Sequence, residues 1–315
     1  MVNPKTPVSR RDALAIGAAV AAASGKNQAT AFNDVEEYPW IDAHSHIWTP
    51  DTSIFRFAPG VTPQDLVPES FTDDELMAVA RRHGVGRIVL IQHTLFHAFD
   101  NSYLIDAWRR QPNLFRVVGM VDDLRPKCGT AMKQLLRQGV TAFRITPRKG
   151  ITDWLQTDGM TEMWQTAAET RQPMCCLIDP HHLTGVDAAC QRHPETPVVI
   201  DHFARIGIDG SIRDADLRRL CGLARYKYTK VKISAYYALG SKQSPHDELI
   251  PMIRRLYETF GPDRLMWASD CPYQLTAKNT YGSSIVLVRD RLDFVSNGDR
   301  EKLLRTTAEQ TFFYA

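Results

Sequence analysis

A single (β/α)8 TIM barrel is the fold this 315-residue sequence predicts, and three observations predict it. Eight short β-rich runs recur along the chain, most intervals between them carry a helix-period pattern, and no repeat, low-complexity tract or Pro/Ser linker marks a second domain. With 43% hydrophobic and 23% charged residues, 18 Gly and 18 Pro, the composition is globular, which excludes disorder, collagen-like repeats and small disulfide scaffolds. Lys and Arg number 38 against 36 Asp and Glu, a net charge of +2. A phosphate-tracking surface would show as a basic excess or tract, so nucleic acid is not the expected partner. An open doubly wound sheet is the alternative architecture, but its glycine-rich loop follows a strand. Gly84-Val85-Gly86 precedes one and suits a helix C-cap.

The elements follow in chain order. Residues 1–31 hold Lys5, Arg10 and Arg11, an uncharged run Ala13 to Ala23, and a close at Ala29-Thr30-Ala31. A run of that length is too short to cross a bilayer, which takes about 20 residues as a helix, and the pattern is that of a signal peptide. Ser9-Arg10-Arg11 points to the twin-arginine route, although Ala13 stands where that signal usually carries Phe. The barrel domain is expected at 32–315, exported to the periplasm without stable membrane insertion. The six cysteines show no C-x-x-C spacing, and a chain folded before export can keep them reduced.

Strands are predicted at 40–46, 87–92, 116–121, 140–146, 174–179, 197–202, 231–235 and 264–269. Thr72 and Glu75 form a capping box for a helix reaching His83. Further helices are predicted at 101–110, 130–138, 161–172, 183–192, 214–225, 245–260, 282–294 and 299–312.

In such a barrel, catalytic side chains gather at the C-terminal ends of the strands. Strand one ends His44-Ser45-His46, whose histidines point to one side of a strand and can converge on one ion or substrate atom. Strand six ends Asp201-His202 and strand eight ends Ser269-Asp270. Each residue alone has an ordinary explanation, a cap or a core hydrogen bond; four such groups at three strand ends point to a site. Arg144 in strand four and Lys232 in strand seven are cations inside apolar strands, expensive unless paired or used. They read either as partners of buried carboxylates or as recognition groups for an anionic substrate. Gln92 and Asn101, after strand two, are candidate substrate contacts, with capping the alternative for Asn101. His181 and His182 follow strand five, and adjacent histidines rarely both ligate.

These residues resemble the amidohydrolase superfamily, specifically the amidohydrolase-2 group and its lactonase-like branch. The carriers are Ile41-Asp42-Ala43-His44-Ser45-His46-Ile47-Trp48, Asp100 to Asp106, Phe143-Arg144-Ile145, Val199-Ile200-Asp201-His202 and Ser269-Asp270-Cys271-Pro272. The resemblance implies one divalent metal ion, zinc first, on His44, His46, His202 and Asp270, with metal-independent activity left open. Strand five lacks the histidine usual in tightly zinc-bound members and strand four lacks the bridging lysine, so a binuclear site is not expected.

The expected function is hydrolysis of a lactone or related ester of a carboxylated or hydroxylated small molecule. Asp270 would act as general base, His202 would polarise the carbonyl with the other imidazoles, and Arg144 and Lys232 would orient an anionic substrate. The alternatives are non-oxidative, metal-dependent decarboxylation on the same barrel and a non-catalytic sugar-acid-binding barrel. Oligomeric state is left open.

Overall fold

The computed structural model describes residues 37–314. The expected leader at 1–31 lies outside the described residues. Eight parallel strands run in sequence order: β1 Trp40–Ser45, β2 Val85–Ile91, β3 Phe115–Gly119, β4 Val140–Ile145, β5 Met174–Cys176, β6 Val198–Ile200, β7 Thr229–Ile233 and β8 Leu265–Trp267. The Asp270 amide donates to the His44 carbonyl at 2.8 Å and the His46 amide to Cys271 at 2.8 Å, which closes the sheet into a barrel just above β1 and β8. Helices fill the crossovers near their expected places, among them Ser102–Arg110, Asp158–Thr170, Leu183–Arg192 and Ile250–Phe260. Thr72 caps the helix Asp73–Ala80 through the expected reciprocal bonds with Glu75. Among the described residues no helix is long and apolar enough to cross a membrane, and all six cysteines are free.

Two apolar layers hold the barrel. Outward side chains such as Val117, Phe143, Ile200 and Trp267 pack under the helices, while Ile41, Ala43, Val89, Ile91, Val118, Ala142, Cys175, Val199, Met266 and Ala268 fill the interior. Ala308 and Phe312 of the last helix, Thr307–Phe312, join the interior cluster. The barrel is therefore a packed core with chemistry confined to the opposite rim.

Strand periodicity explains which residues reach that rim. Two residues beyond each inward hydrophobe lies the next inward position: Ile91 leads to His93, Ala142 to Arg144, Val199 to Asp201 and Ala268 to Asp270. β1 departs from this rule, because Asp42 to Ser45 spans the same register as Ile88 to Leu90. The extra residue is a bulge that shifts the phase of the strand. Asp42 turns outward to accept from Tyr281 at 2.8 Å, while His44 and His46 turn in.

A candidate active site at the barrel mouth

The rim encloses a cavity of about 390 Å³ lined by His46, His93, Arg144, His202, Arg205, Tyr237, Asp270 and Tyr273, among otherwise mainly apolar side chains. Asp270 is its centre. Oδ1 lies 3.5 Å from His44 Nε2, 3.2 Å from His46 Nε2 and 3.8 Å from His202 Nε2. Oδ2 accepts the Tyr237 hydroxyl at 2.8 Å. Asp270 itself sits in the left-handed region at φ 63°, a conformation that costs a side-chain-bearing residue roughly 1–2 kcal/mol. Bonds on either side hold it there: its own amide on His44, and the Ser269 amide on Asp42 Oδ1 at 2.9 Å.

The carbonyl partner of His46 assigns its tautomer. His46 Nδ1 faces the Ile91 carbonyl at 2.8 Å, so Nδ1 carries the hydrogen and Nε2 presents a lone pair to Asp270. Arg144 Nη2 donates to His44 Nε2 at 2.7 Å, so His44 also offers its Nε2 lone pair to the mouth. Its Nδ1 lies 3.2 Å from Lys232 Nζ and 3.7 Å from Asp201 Oδ1. His202 Nδ1 pairs with Ser234 Oγ at 2.8 Å. Burial, with further help from Lys232 at His44 and Arg144 at His46, pushes both imidazoles well below their usual range. His202 is brought down to about 4, chiefly by burial. All three are neutral near pH 7.

Below them lies a buried ionic layer. Lys232 Nζ is 3.1 Å from Asp201 Oδ1 and 3.2 Å from His44 Nδ1, and Arg144 Nη2 is 3.5 Å from Asp201 Oδ2. Burial raises the Asp201 pKa, but Lys232, His44 and Arg144 more than offset it and hold the carboxyl well below its usual value. Two basic and two acidic side chains thus balance charge around neutral imidazoles.

Several expectations are corrected here. Lys232 is wholly buried, 5.2 Å over the Phe312 ring; it pairs with Asp201 and does not line the cavity. Gln92 points to the outside of the barrel, its amide donating to the carbonyls of Ala98 at 3.2 Å and Asp100 at 2.6 Å. Asn101 ties the same loop to β3 by donating to Met120 O at 3.0 Å and accepting Met120 N–H at 2.8 Å. Neither lines the cavity, because the loop that folds back over β2 leaves carbonyls that need buried donors. His202 stands outside the set of three, His44, His46 and Asp270, whose ligand atoms all lie within 4.8 Å of one another.

Sequence reasoning gave no role to Asp201, Ser234 or the Tyr237 hydroxyl. The inward phase running from Val199 to Asp201 was a signal for the first. His202 is out of that phase and enters the site only because its backbone turns left-handed, at φ 52°.

The His44, His46 and Asp270 donor set fits a divalent cation. Three acceptors converge, two of them neutral imidazoles, and the other nitrogen of His46 is held by the Ile91 carbonyl, the arrangement that orients metal-bound histidines. Arg144, now on His44 Nε2, is the group that would withdraw. Asp179, His181 and His182 also bring three ligand atoms within 4.8 Å, although the sequence argued against adjacent histidines acting together.

The amidohydrolase family model matches residues 41–314. A 4-sulfomuconolactone hydrolase of Rhizobium radiobacter is 29% identical over 236 residues, 74% of this chain and 75% of its own length. An L-fucono-1,5-lactonase of Burkholderia ambifaria is 28% identical over 239 residues, covering 74% and 80%. Among solved structures, a probable 2-pyrone-4,6-dicarboxylic acid hydrolase of Acinetobacter baumannii with bound citric acid superposes with a TM-score of 0.71 at 20% identity, over 87% of this chain and 99% of that one. An amidohydrolase of Burkholderia multivorans with bound zinc gives 0.70 at 19% identity, with the same coverage.

Proposed function

The chain belongs to the amidohydrolase family, and from that premise we propose that it is a hydrolase opening lactones, or closely related esters, of small carboxylated or hydroxylated molecules. One observation carries the reading. A carboxylate fixed by a tyrosine hydroxyl projects one free oxygen among three neutral imidazoles in a cavity sized for a small molecule. Both sequence relatives are, by name, enzymes of lactones.

Asp270 Oδ1 takes a proton from the attacking water as its oxygen adds to the lactone carbonyl. Arg144 and His202 sit where donors can meet the carbonyl oxygen as it becomes an oxyanion. Asp270 then returns the proton to the ring oxygen as the acyl C–O bond breaks, giving a hydroxy acid. Tyr237 holds Asp270 in line through both transfers, and Ser234 orients His202. A divalent ion, zinc by preference for this imidazole and carboxylate set, would be held by His44, His46 and Asp270 and would supply Lewis-acid polarisation of the carbonyl when bound.

Decarboxylation finds no support in the site. Behind β5 the cavity wall is Leu177, and His181 and His182 do not line it. The leader expected from the sequence, with the free thiols, supports export after folding in the cytoplasm, so the activity is proposed to act in the periplasm.

Asp270→Asn tests the function. Lactone opening, followed by acid release, is expected to fall by about 10³-fold or more with the thermal midpoint unchanged within a few degrees. Near-full activity in that variant would remove Asp270 from the mechanism, and CO2 release by the native enzyme from a carboxylic-acid panel would replace hydrolysis with decarboxylation. Elemental analysis of the purified protein checks the ion: one zinc per chain, lost in His46→Ala, is expected, and a different metal or none overturns the zinc assignment alone.

A further inference from the structure

Four consecutive residues after β6, His202, Phe203, Ala204 and Arg205, have φ between 52° and 57°. L-residues visit this region singly, and a run of four without glycine is rare. In a helix of three residues per turn, side chains at i and i+3 eclipse one another. His202 and Arg205 accordingly share one side of the turn and both line the cavity, while Phe203 and Ala204 are wholly buried on the other. Turning His202 inward needs one left-handed residue. The other three bring Arg205 beside it.

Arg205 is available to a carboxylate in a way Arg144, assigned above to the carbonyl oxygen, is not. Arg144 is 4% exposed and engaged by His44 and Asp201. The Arg205 side chain is 40% exposed, and its partner Asp179, 3.1 Å away, is 36% exposed. Water already screens that pair, so a ligand carboxylate can take the place of Asp179 on the guanidinium. The rest of the wall is mainly apolar and offers a polyol two further side-chain hydroxyls, Thr94 and Thr146. Leu95, Met120, Leu177, Ile208 and Leu239 are apolar, the Tyr237 hydroxyl is spent on Asp270, and that of Tyr273 lies 3.1 Å from His93 Nε2. A ring bearing several hydroxyls would leave most of them unpaired against this surface, whereas a flat apolar ring fits it.

We infer that Arg205 is the specificity-determining residue of this site, anchoring the single anionic group of a compact, apolar-bodied or aromatic lactone. The inference rests on the lactone reading and narrows its carboxylated-or-hydroxylated range to the carboxylated side.

The test compares dihydrocoumarin-6-carboxylate, its methyl ester and glucono-1,5-lactone on the full chain. The acid is expected to be the best of the three. Arg205→Met should lower the acid-to-ester ratio of kcat/KM by about 30-fold, mostly through KM, as expected for one charge-assisted hydrogen-bonded pair, and Arg205→Lys should restore part of it. Asp179→Asn, which breaks the ion pair but leaves the guanidinium, should not lower that ratio. The inference is overturned if Arg205→Met leaves the ratio unchanged, if Asp179→Asn lowers it equally, or if gluconolactone is the preferred substrate. Should the native protein open none of the three, the lactone reading fails and Arg205 is judged by calorimetry with 2-naphthoate, which has the ring and the anion but no ester. Binding weakened about 30-fold in Arg205→Met upholds the anchor; unchanged binding refutes it.

Discussion

Two aspartates stand on opposite sides of the seam where β1 meets β8, and their surroundings make them different chemical groups. Asp42, on the outer side, accepts from the amides of His44 and Ser269 and from the hydroxyls of Ser45, Ser269 and Tyr281. Burial pushes its pKa up and the Ser269 and Ser45 bonds pull it part of the way back. It holds the barrel shut. Asp270, on the inner side, has Oδ2 fixed by Tyr237 and Oδ1 turned to the cavity among lone pairs. An acceptor saturated with donors has no capacity left for a substrate, whereas one facing other acceptors is poised for a proton or a cation.

That contrast can be broken in four ways, from the largest expected effect down. Asp270→Asn removes activity and spares stability; a lowered melting point with the activity retained would reverse the roles assigned to the two sides of the seam. Next comes Lys232→Met, which leaves Asp201 in the interior with Arg144, 3.5 Å away, as its one cationic partner. A loss of about 3–5 kcal/mol in urea unfolding is expected, with much of it recovered in Lys232→Met/Asp201→Asn. If the double variant is no more stable than the single, the pair is not what holds the ionic layer. Asp42→Ala strands five donors and should cost at least about 3 kcal/mol, a fall in thermal midpoint on the order of 10 °C for a domain of this size. An unshifted midpoint would show that the seam closes without it.

The smallest single-group effect is in pH. His202 is depressed from 6.5 to about 4, so the folded chain binds this proton less readily than the unfolded chain. Stability is intact above the unfolded value and erodes as pH falls from 6.5 toward 4, by about 2 kcal/mol at pH 5 for His202 alone. His44 and His46 add in the same direction, and Asp201 adds its own loss only at still lower pH, below its usual value. A urea midpoint that stays flat from pH 7 to 5 would contradict neutral buried imidazoles.

Much of the site was legible in particular residues. His44, His46, His202 and Asp270 could be found because polar side chains ending apolar strands are conspicuous, and the barrel rule says where such ends collect. Gln92 and Asn101 line no part of the cavity, which the sequence could not show, because a polar residue at a strand end or in the loop beyond it looks the same whether it serves a ligand or a loop carbonyl. Asp201 was overlooked beside the more conspicuous His202, although strand phase favoured it.

The sequence alone determined the eightfold alternation of strand and helix, the capping of the Asp73–Ala80 helix and the composition of the rim, since these depend on local propensity and on periods of 2 and 3.6 residues. Only the tertiary structure decided which polar groups face one another. The bulge in β1 and the left-handed turn after β6 each shift the phase of a strand, and a shift of one residue moves a side chain to the other face of the sheet. Such departures cost backbone energy locally and are stabilised by bonds from distant segments, Ser269 on Asp42 and Ser234 on His202. That long-range dependence is the physical reason no window of local sequence reveals them.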